Sequence, residues 1–266
     1  MSLDNITVLI KGAGEMASGV AVRLKRSNFK VCMTETFHPE AVRREVSFCE
    51  AVYDGEKTVE GISARLVDSF SQIRGVWDCG KIPLIVDPDA AVKEFLKPAV
   101  LVDAILAKKN LGTKITDAPL VIGLGPGFSA GRDVHMVVET MRGHNLGRVI
   151  QEGEPRPNTG IPGVIAGYSS ERVFRAPKNG TLKTLKEIGD HVETGEIVAL
   201  VDDCKIKAEI GGIIRGLLRN GTIVREGMKT GDIDPRGEKE YCYTVSEKAR
   251  TIGGSVLECI LSHFNR

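Results

Sequence analysis

The sequence predicts an α/β protein in which a parallel sheet precedes a small duplicated β domain and a terminal helix. Three observations predict it. A strand–glycine loop–helix–strand unit, "ITVLIKGAGEMASGVAVRLKRSNFKVCMTE", opens the chain. Further short, apolar, β-branched runs follow it, "ISARLV", "IPLIVD", "AVLVDAIL" and "PLVIGLG". Beyond residue 170 the sequence then repeats itself at a spacing of 32 residues.

In the first unit, ITVLI is a continuous apolar run, as suits a strand covered on both faces. Gly12, Gly14, Ala17 and Gly19 follow it in the pattern G-x-G-x-x-A-x-G. Gly12 permits a tight turn, Gly14 lets backbone approach a pyrophosphate, and Ala17 is small enough for helix to pack on strand. Ala17, Val20, Ala21 and Leu24 continue at helical spacing. The free N–H groups of that helix start would face a phosphate. Gly12, Ala13, Gly14, Glu15, Met16 and Ala17 are therefore the first candidate binding set. The second strand ends in Glu35, where a carboxylate would meet a ribose hydroxyl; Arg43 and Arg44 could instead meet a 2′-phosphate. This is the order of a Rossmann-like domain. The competing reading is a parallel α/β domain whose loop is only a turn.

If the later runs are parallel strands, their carboxyl ends share one sheet edge, where open α/β sheets bind ligands. That edge would collect Glu35, Asp87, Asp103 and the loop "GLGPG" with Gly125, Pro126 and Gly127. Each aspartate alone is more often a turn former or cap. "AKKNLG" after Asp103 reads as a solvated helix end stopped by Gly112. Backbone N–H groups of a Gly-Pro-Gly loop can form an anion nest. Val134, Val137, Val138 and Met141 then predict a helix, capped by Asp133, with His135 and Glu139 on one face. Arg142, His144 and Arg148 follow and suit a phosphate or carboxylate. The plainer reading is that Asp133 caps and the basic residues decorate a helix end.

"PRPNTGIPGVIAG" reads as a linker or ordered crossover. In the repeat, Ala176 meets Ala208, Gly180 meets Gly212, Gly189 meets Gly221, Val192 meets Val224 and Gly195 meets Gly227. Two such halves resemble the barrel-sandwich hybrid of biotinyl and lipoyl domains. The carrier position would fall on Lys205 in "VDDCKIK", yet no carrier triplet surrounds it, so neither biotin nor lipoate is expected. "GDIDPRG" would bring Asp232, Asp234 and Arg236 into a tight structural turn. Ser246 opens a terminal helix, with Gly253-Gly254 interrupting it. The expected domains are 1–170 (Rossmann-like, ligand-binding), 171–240 (barrel-sandwich) and 241–266 (a helix packing back on the first).

Composition narrows the partners. Lys plus Arg number 36 against 35 Asp plus Glu, so no basic field recruits nucleic acid or a membrane surface. Aromatics are 5%, too few for a base-stacking platform. No apolar run is long enough to span a bilayer, and the chain enters its first strand without a signal-peptide pattern, so a cytoplasmic protein is expected. Six scattered cysteines without a C-x-x-C pair predict reduced core residues and no metal centre.

"IKGAGEMASGVAVRL", "VVETMRGHNLGRVI", "TGIPGVIAGYSSERVFRAP" and "GDIDPRG" together resemble the YqeB family, accessory proteins of selenium-dependent molybdenum hydroxylase systems. The resemblance implies a role in maturing or inserting a hydroxylase's molybdenum centre, beside XdhC-like accessory proteins. It supplies no catalytic residue. A molybdopterin-type cofactor, itself a phosphate-bearing pterin, joins NAD(P) and other nucleotides as an expected ligand. Three readings stay open. They are a maturation factor partnered with the hydroxylase or its maturation proteins, an NAD(P)-dependent oxidoreductase acting on a small substrate, and a non-catalytic scaffold. The oxidoreductase would draw its proton donor from His135 or His144; no Tyr-x-x-x-Lys pair is present. The sequence is compatible with an oligomer.

Overall fold

The computed structural model describes residues 6–265. They form two compact units. The first contains the chain up to Pro39, Ser47–Asn158 and the chain from Val245 onward; the second contains Glu40–Val46 and Thr159–Thr244. Residues 159–170, read from sequence with the first domain, lie in the second unit. Arg172 ties them there by donating Nε and Nη2 to the Gly163 carbonyl at 3.2 and 3.0 Å. Residues 40–46 join it because the Leu217 N–H donates to the Val42 carbonyl at 2.9 Å.

The first unit is a nine-stranded sheet. Its strands are β1 (Thr7–Lys11), β2 (Lys30–Glu35), β3 (Glu56–Val59), β4 (Ile62–Val67), β5 (Ile82–Val86), β6 (Val100–Asp103), β7 (Leu120–Leu124), β8 (Met136–Val138) and β9 (Val149–Ile150). Their spatial order is β3-β4-β5-β2-β1-β6-β7-β8-β9. The seven strands from β4 to β8 in that order are parallel, and β3 and β9 are antiparallel edges. The order reverses between β1 and β6, which makes their carboxyl ends the expected ligand crevice. Every residue of β6 and β7 is buried, as the apolar runs require for strands covered on both faces.

The helices are α1 (Glu15–Arg26), α2 (Ala51–Asp54), α3 (Ile73–Asp78), α4 (Val92–Leu96) and α5 (Glu247–Phe264). Ala17, Val20, Ala21 and Leu24 of α1 are fully buried, as their spacing predicts. Glu15 in its first turn and Arg23, Lys25 and Arg26 in its last complement the helix dipole. Asn28, at φ 65°, reverses the chain after it. α5 begins as predicted, with the Ser246 hydroxyl accepting the Ala249 N–H. It is not interrupted at Gly253-Gly254. A Cβ on Gly253 would lie 2.9 Å from the Gly19 carbonyl of α1, and one on Gly19 would lie 2.7 Å from the Ala249 Cβ. These glycines serve close packing of two helices rather than a break.

The second unit folds as two four-stranded sheets. The strands are β10 (Val173–Arg175), β11 (Gly180–Thr184), β12 (His191–Val192), β13 (Ile197–Val201), β14 (Cys204–Lys207), β15 (Gly212–Leu217), β16 (Ile223–Val224) and β17 (Lys229–Asp234). The sheets are ordered β10-β17-β15-β12 and β14-β13-β11-β16. A shift of 32 residues carries each strand of one sheet onto its counterpart in the other. Each copy therefore lends its short second strand to the other copy's sheet, with β12 on β15 and β16 on β11. Leu182, Val198 and Val201 share one core with Ile214, Leu217 and Ile233. "GDIDPRG" is strand up to Asp234, and both aspartates are buried beneath Arg215, Arg236 and Lys229.

Candidate functional site

The carboxyl ends of β1 and β6 meet at the first glycine loop. Gly12 has φ 89°, and a Cβ there would lie 3.3 Å from backbone of Ala104 and Ile105. The turn and the close approach both require glycine. Gly14 differs. Its φ of −68° suits any residue, and nothing lies within 4 Å of a Cβ placed on it. It is the N-cap of α1 and offers no side-chain cap, so the helix start is open on that side. Ala13 and Ala17 are fully buried and Met16 nearly so; they are packing residues.

Glu35 is at the loop, but its carboxylate is occupied. It accepts the Ala13 N–H at 2.8 Å and the Thr36 N–H at 2.7 Å. The Ala13 carbonyl accepts the Cys49 N–H at 2.9 Å and the Ser18 hydroxyl at 3.0 Å. Glu35 thus holds the loop's shape. Arg43 and Arg44 are bound within the second unit instead. Arg43 donates to the Tyr241 carbonyl at 2.8 Å and Arg44 to the Leu217 carbonyl at 2.7 Å.

Asp103 ends β6 beside Lys11, which ends β1. Its carboxylate accepts the Thr113 hydroxyl at 2.6 Å, and Lys11 Nζ donates to Thr113 Oγ1 at 2.7 Å. The Lys11–Asp103 ion pair measures 3.5 Å, and all three residues are buried. This network ties the loop after β6 to β1; sequence reading missed Lys11 and Thr113. That loop is not the expected helix end. The Asn110 side chain closes it by accepting the Gly112 and Thr113 N–H groups. Asp87 is at the edge and accepts the Val92 N–H, which makes it the turn former of α4.

The second glycine loop follows β7 at the same edge, and its glycines have packing reasons. A Cβ on Gly127 would meet Lys109 backbone at 2.6–2.8 Å, and one on Gly125 would collide with the Thr140 hydroxyl. Pro126 lies between them. The predicted helix after it is absent. Residues 136–138 form β8, paired to β7, because the β-branched Val137 and Val138 suit a covered strand better than a helix. Asp133 is consequently no helix cap; it accepts the Ser129 N–H at 2.9 Å and closes a turn. His135 precedes β8, at the amino-terminal side of the strand, away from the crevice. Its Nδ1 accepts the Val121 N–H at 3.0 Å. Burial and the nearby His263 hold its pKa below the usual histidine value.

Past β8 the chain returns to the carboxyl edge. Glu139 is buried and accepts the Met141 N–H at 2.7 Å and the Arg156 N–H at 2.8 Å. Arg142 pairs with Glu247 in the first turn of α5. His144 and Arg148 are exposed. Arg148 contributes backbone to the turn, its carbonyl accepting the Glu139 N–H. Beside Glu247 is Lys248, which sequence reading also missed. Its amine makes no hydrogen bond or ion pair among the described residues. Burial, then Arg142, holds it below the usual lysine range against the opposing pull of Glu15, Glu139 and Glu247. Nothing in the pattern of α5 tells which sheet edge its start will reach. A groove of about 410 Å³ lies at the opposite, amino-terminal edge, lined by Thr7, Lys30, Arg74, Trp77 and Phe95 among others, and includes none of these residues.

No family model matches the chain. It is 50% identical over 254 residues to a protein of Escherichia coli strain K12 named "Uncharacterized protein YqeB". The match takes in 96% of this chain and 47% of that protein, so the chain spans about half the length of its relative. Among solved structures, an aspartoacylase family protein from Mesorhizobium loti is 8% identical over 86% of this chain and 84% of its own, with a TM-score of 0.27. The ectoine utilization protein EutE (DoeB) from Ruegeria pomeroyi is 13% identical over 80% and 61%, with a TM-score of 0.25. At these values neither likeness bears on fold or function.

Proposed function

We propose that this chain, homologous to half of YqeB, is a YqeB-family accessory factor. In this reading it binds a phosphate-bearing cofactor at the carboxyl edge of its parallel sheet and serves the maturation of a selenium-dependent molybdenum hydroxylase. One observation carries the binding half. Gly14 caps α1 at the reversal of strand order and is required by neither its own backbone angles nor its neighbours. A close-approaching ligand supplies the missing reason. The maturation half rests on the sequence resemblance.

The occupied carboxylate of Glu35 and the engagement of Arg43 and Arg44 in the second unit weigh against recognition of a dinucleotide's ribose. They favour a ligand held chiefly by its phosphate, such as a molybdopterin-type cofactor or its nucleotide form. The oxidoreductase reading is weakened by His135, which stands at the wrong end of the strands, and by the exposure of His144. The 32-residue relation between the two small sheets supports reading the second unit as a barrel-sandwich hybrid without a carrier role. Lys205 is exposed on β14. Ile161, Val164 and Tyr168 are exposed in the same unit, which favours docking of the hydroxylase or a maturation protein there.

The experiment is genetic and analytical. A selenium-dependent hydroxylase purified from cells lacking this protein should contain strongly reduced molybdenum per polypeptide at normal polypeptide yield. The native gene, but not Gly14→Val, should restore it. Full molybdenum occupancy in the deletion strain would contradict the maturation role.

A further inference from the structure

We propose that the groove at the amino-terminal edge of the large sheet is a binding site for a small apolar monocarboxylate, separate from the carboxyl edge. Strand register and two helices build it. Thr7 and Lys30 open the neighbouring strands β1 and β2 side by side, and both line the groove. From α3 come Arg74, Trp77 and Asp78, spaced three and four residues apart and so on one helix face. The end of α4 adds Phe95 and Leu96. The volume of about 410 Å³ is within the range of small-molecule sites.

The aromatic lining is held in place before any ligand arrives. β5 pairs with β2 only from Met33 onward, and the Val31 carbonyl accepts the Trp77 indole N–H at 2.7 Å. Phe95, half exposed, leans on Phe70 with ring centroids 5.8 Å apart. Pre-ordered apolar surface of this kind costs little entropy to occupy.

Charge selects the occupant. The groove carries two cations, Lys30 and Arg74, and one carboxylate, Asp78. Among the described residues none of the three forms an ion pair or a side-chain hydrogen bond, not even Arg74 with Asp78 one helical turn on. The lining therefore holds one positive charge in excess, which a single carboxylate balances. A guanidinium receives a carboxylate through two parallel hydrogen bonds. Trp77, Phe95 and Leu96 suit the apolar body attached to it. A second anionic group on the ligand would exceed the balance and meet Asp78 as a like charge.

The test uses the full chain with phenylacetate, 4-phenylbutyrate and octanoate as probes. Trp77 is the sole tryptophan, so its emission reports the groove directly. At least one probe should change that emission saturably, and its neutral amide should bind about 10-fold more weakly or worse. Arg74→Met should weaken the probe about 10- to 100-fold, with Arg74→Lys in between, and Phe95→Ala should weaken it as well. Both side chains are exposed, so these variants should keep the native thermal transition. No saturable response to any of the three probes would overturn the proposal. So would equal affinity for the amide, or undiminished affinity in Arg74→Met or Phe95→Ala.

Discussion

Asp232→Ala is expected to destabilise the protein by about 3–5 kcal/mol, the usual cost of removing one partner from a buried charge network. Asp232 is 2% exposed on the central strand β17. Its carboxylate answers Lys229, Arg215 at 3.5 Å and Arg172 at 3.9 Å. Arg172 and Arg215 are themselves buried, so alanine would take one counter-charge from each in the interior, leaving Arg215 with Asp234. Scanning calorimetry should record the loss, and a shift no larger than that of a surface ion pair, about 1 kcal/mol, would contradict it. The same network sets a pH dependence. Burial alone would raise the Asp232 pKa, but Lys229, Arg215 and Arg43 outweigh it and hold it below the ordinary aspartate value. Asp234 is lowered likewise, burial being outweighed by Arg236 and Arg215. Because both folded values are depressed, their stabilisation is fully present above the unfolded value of about 4. It drains away as pH falls through the folded ones. The native melting temperature should therefore drop below about pH 4, and less steeply in the variant.

Asp103→Ala should cost a similar amount, about 3–5 kcal/mol, in the first unit. Lys11 is 6% exposed and would keep a buried ammonium with only the Thr113 hydroxyl to accept from it. The loop that backs Gly12 would lose its tie to β1 as well. Trp77 is the sole tryptophan and lies in α3, so urea unfolding followed by its fluorescence reports this unit. An unchanged midpoint would mean that the Lys11–Asp103–Thr113 network is dispensable.

The large sheet was legible where two signals agreed. ITVLI is apolar throughout, and the 3.6-residue spacing after Gly14 has no competing strand reading. The repeat was legible because turn glycines mark it. Gly189 and Gly221 have φ of 96° and 85°, Gly195 and Gly227 of 86° and 76°, so both copies need the same residue at the same place. The stretch after the second glycine loop was misread. Val134, Val137, Val138 and Met141 fit a helix by spacing and a strand by branching, and only pairing with β7 decides. At the site, Gly12, Gly14 and Asp103 could be found locally. The closing of Glu35 onto Ala13 could not, since a carboxylate at the end of a second strand looks the same whether it awaits a ribose or holds a loop. Lys248 could not either, because its position depends on how α5 packs against a helix more than 200 residues earlier in the chain.

The central claim is that a phosphate-bearing ligand enters at Gly14. Calorimetric titration of the native protein and of Gly14→Val with NAD, NADP, CTP and a molybdopterin tests it most directly. Valine is compatible with the backbone angles at this position and has free space around it, so the variant should fold. The account predicts that at least one ligand binds the native protein and that Gly14→Val abolishes that binding, because the new side chain fills the approach to the start of α1. No binding by any of the four, or equal affinity in the variant, would contradict it.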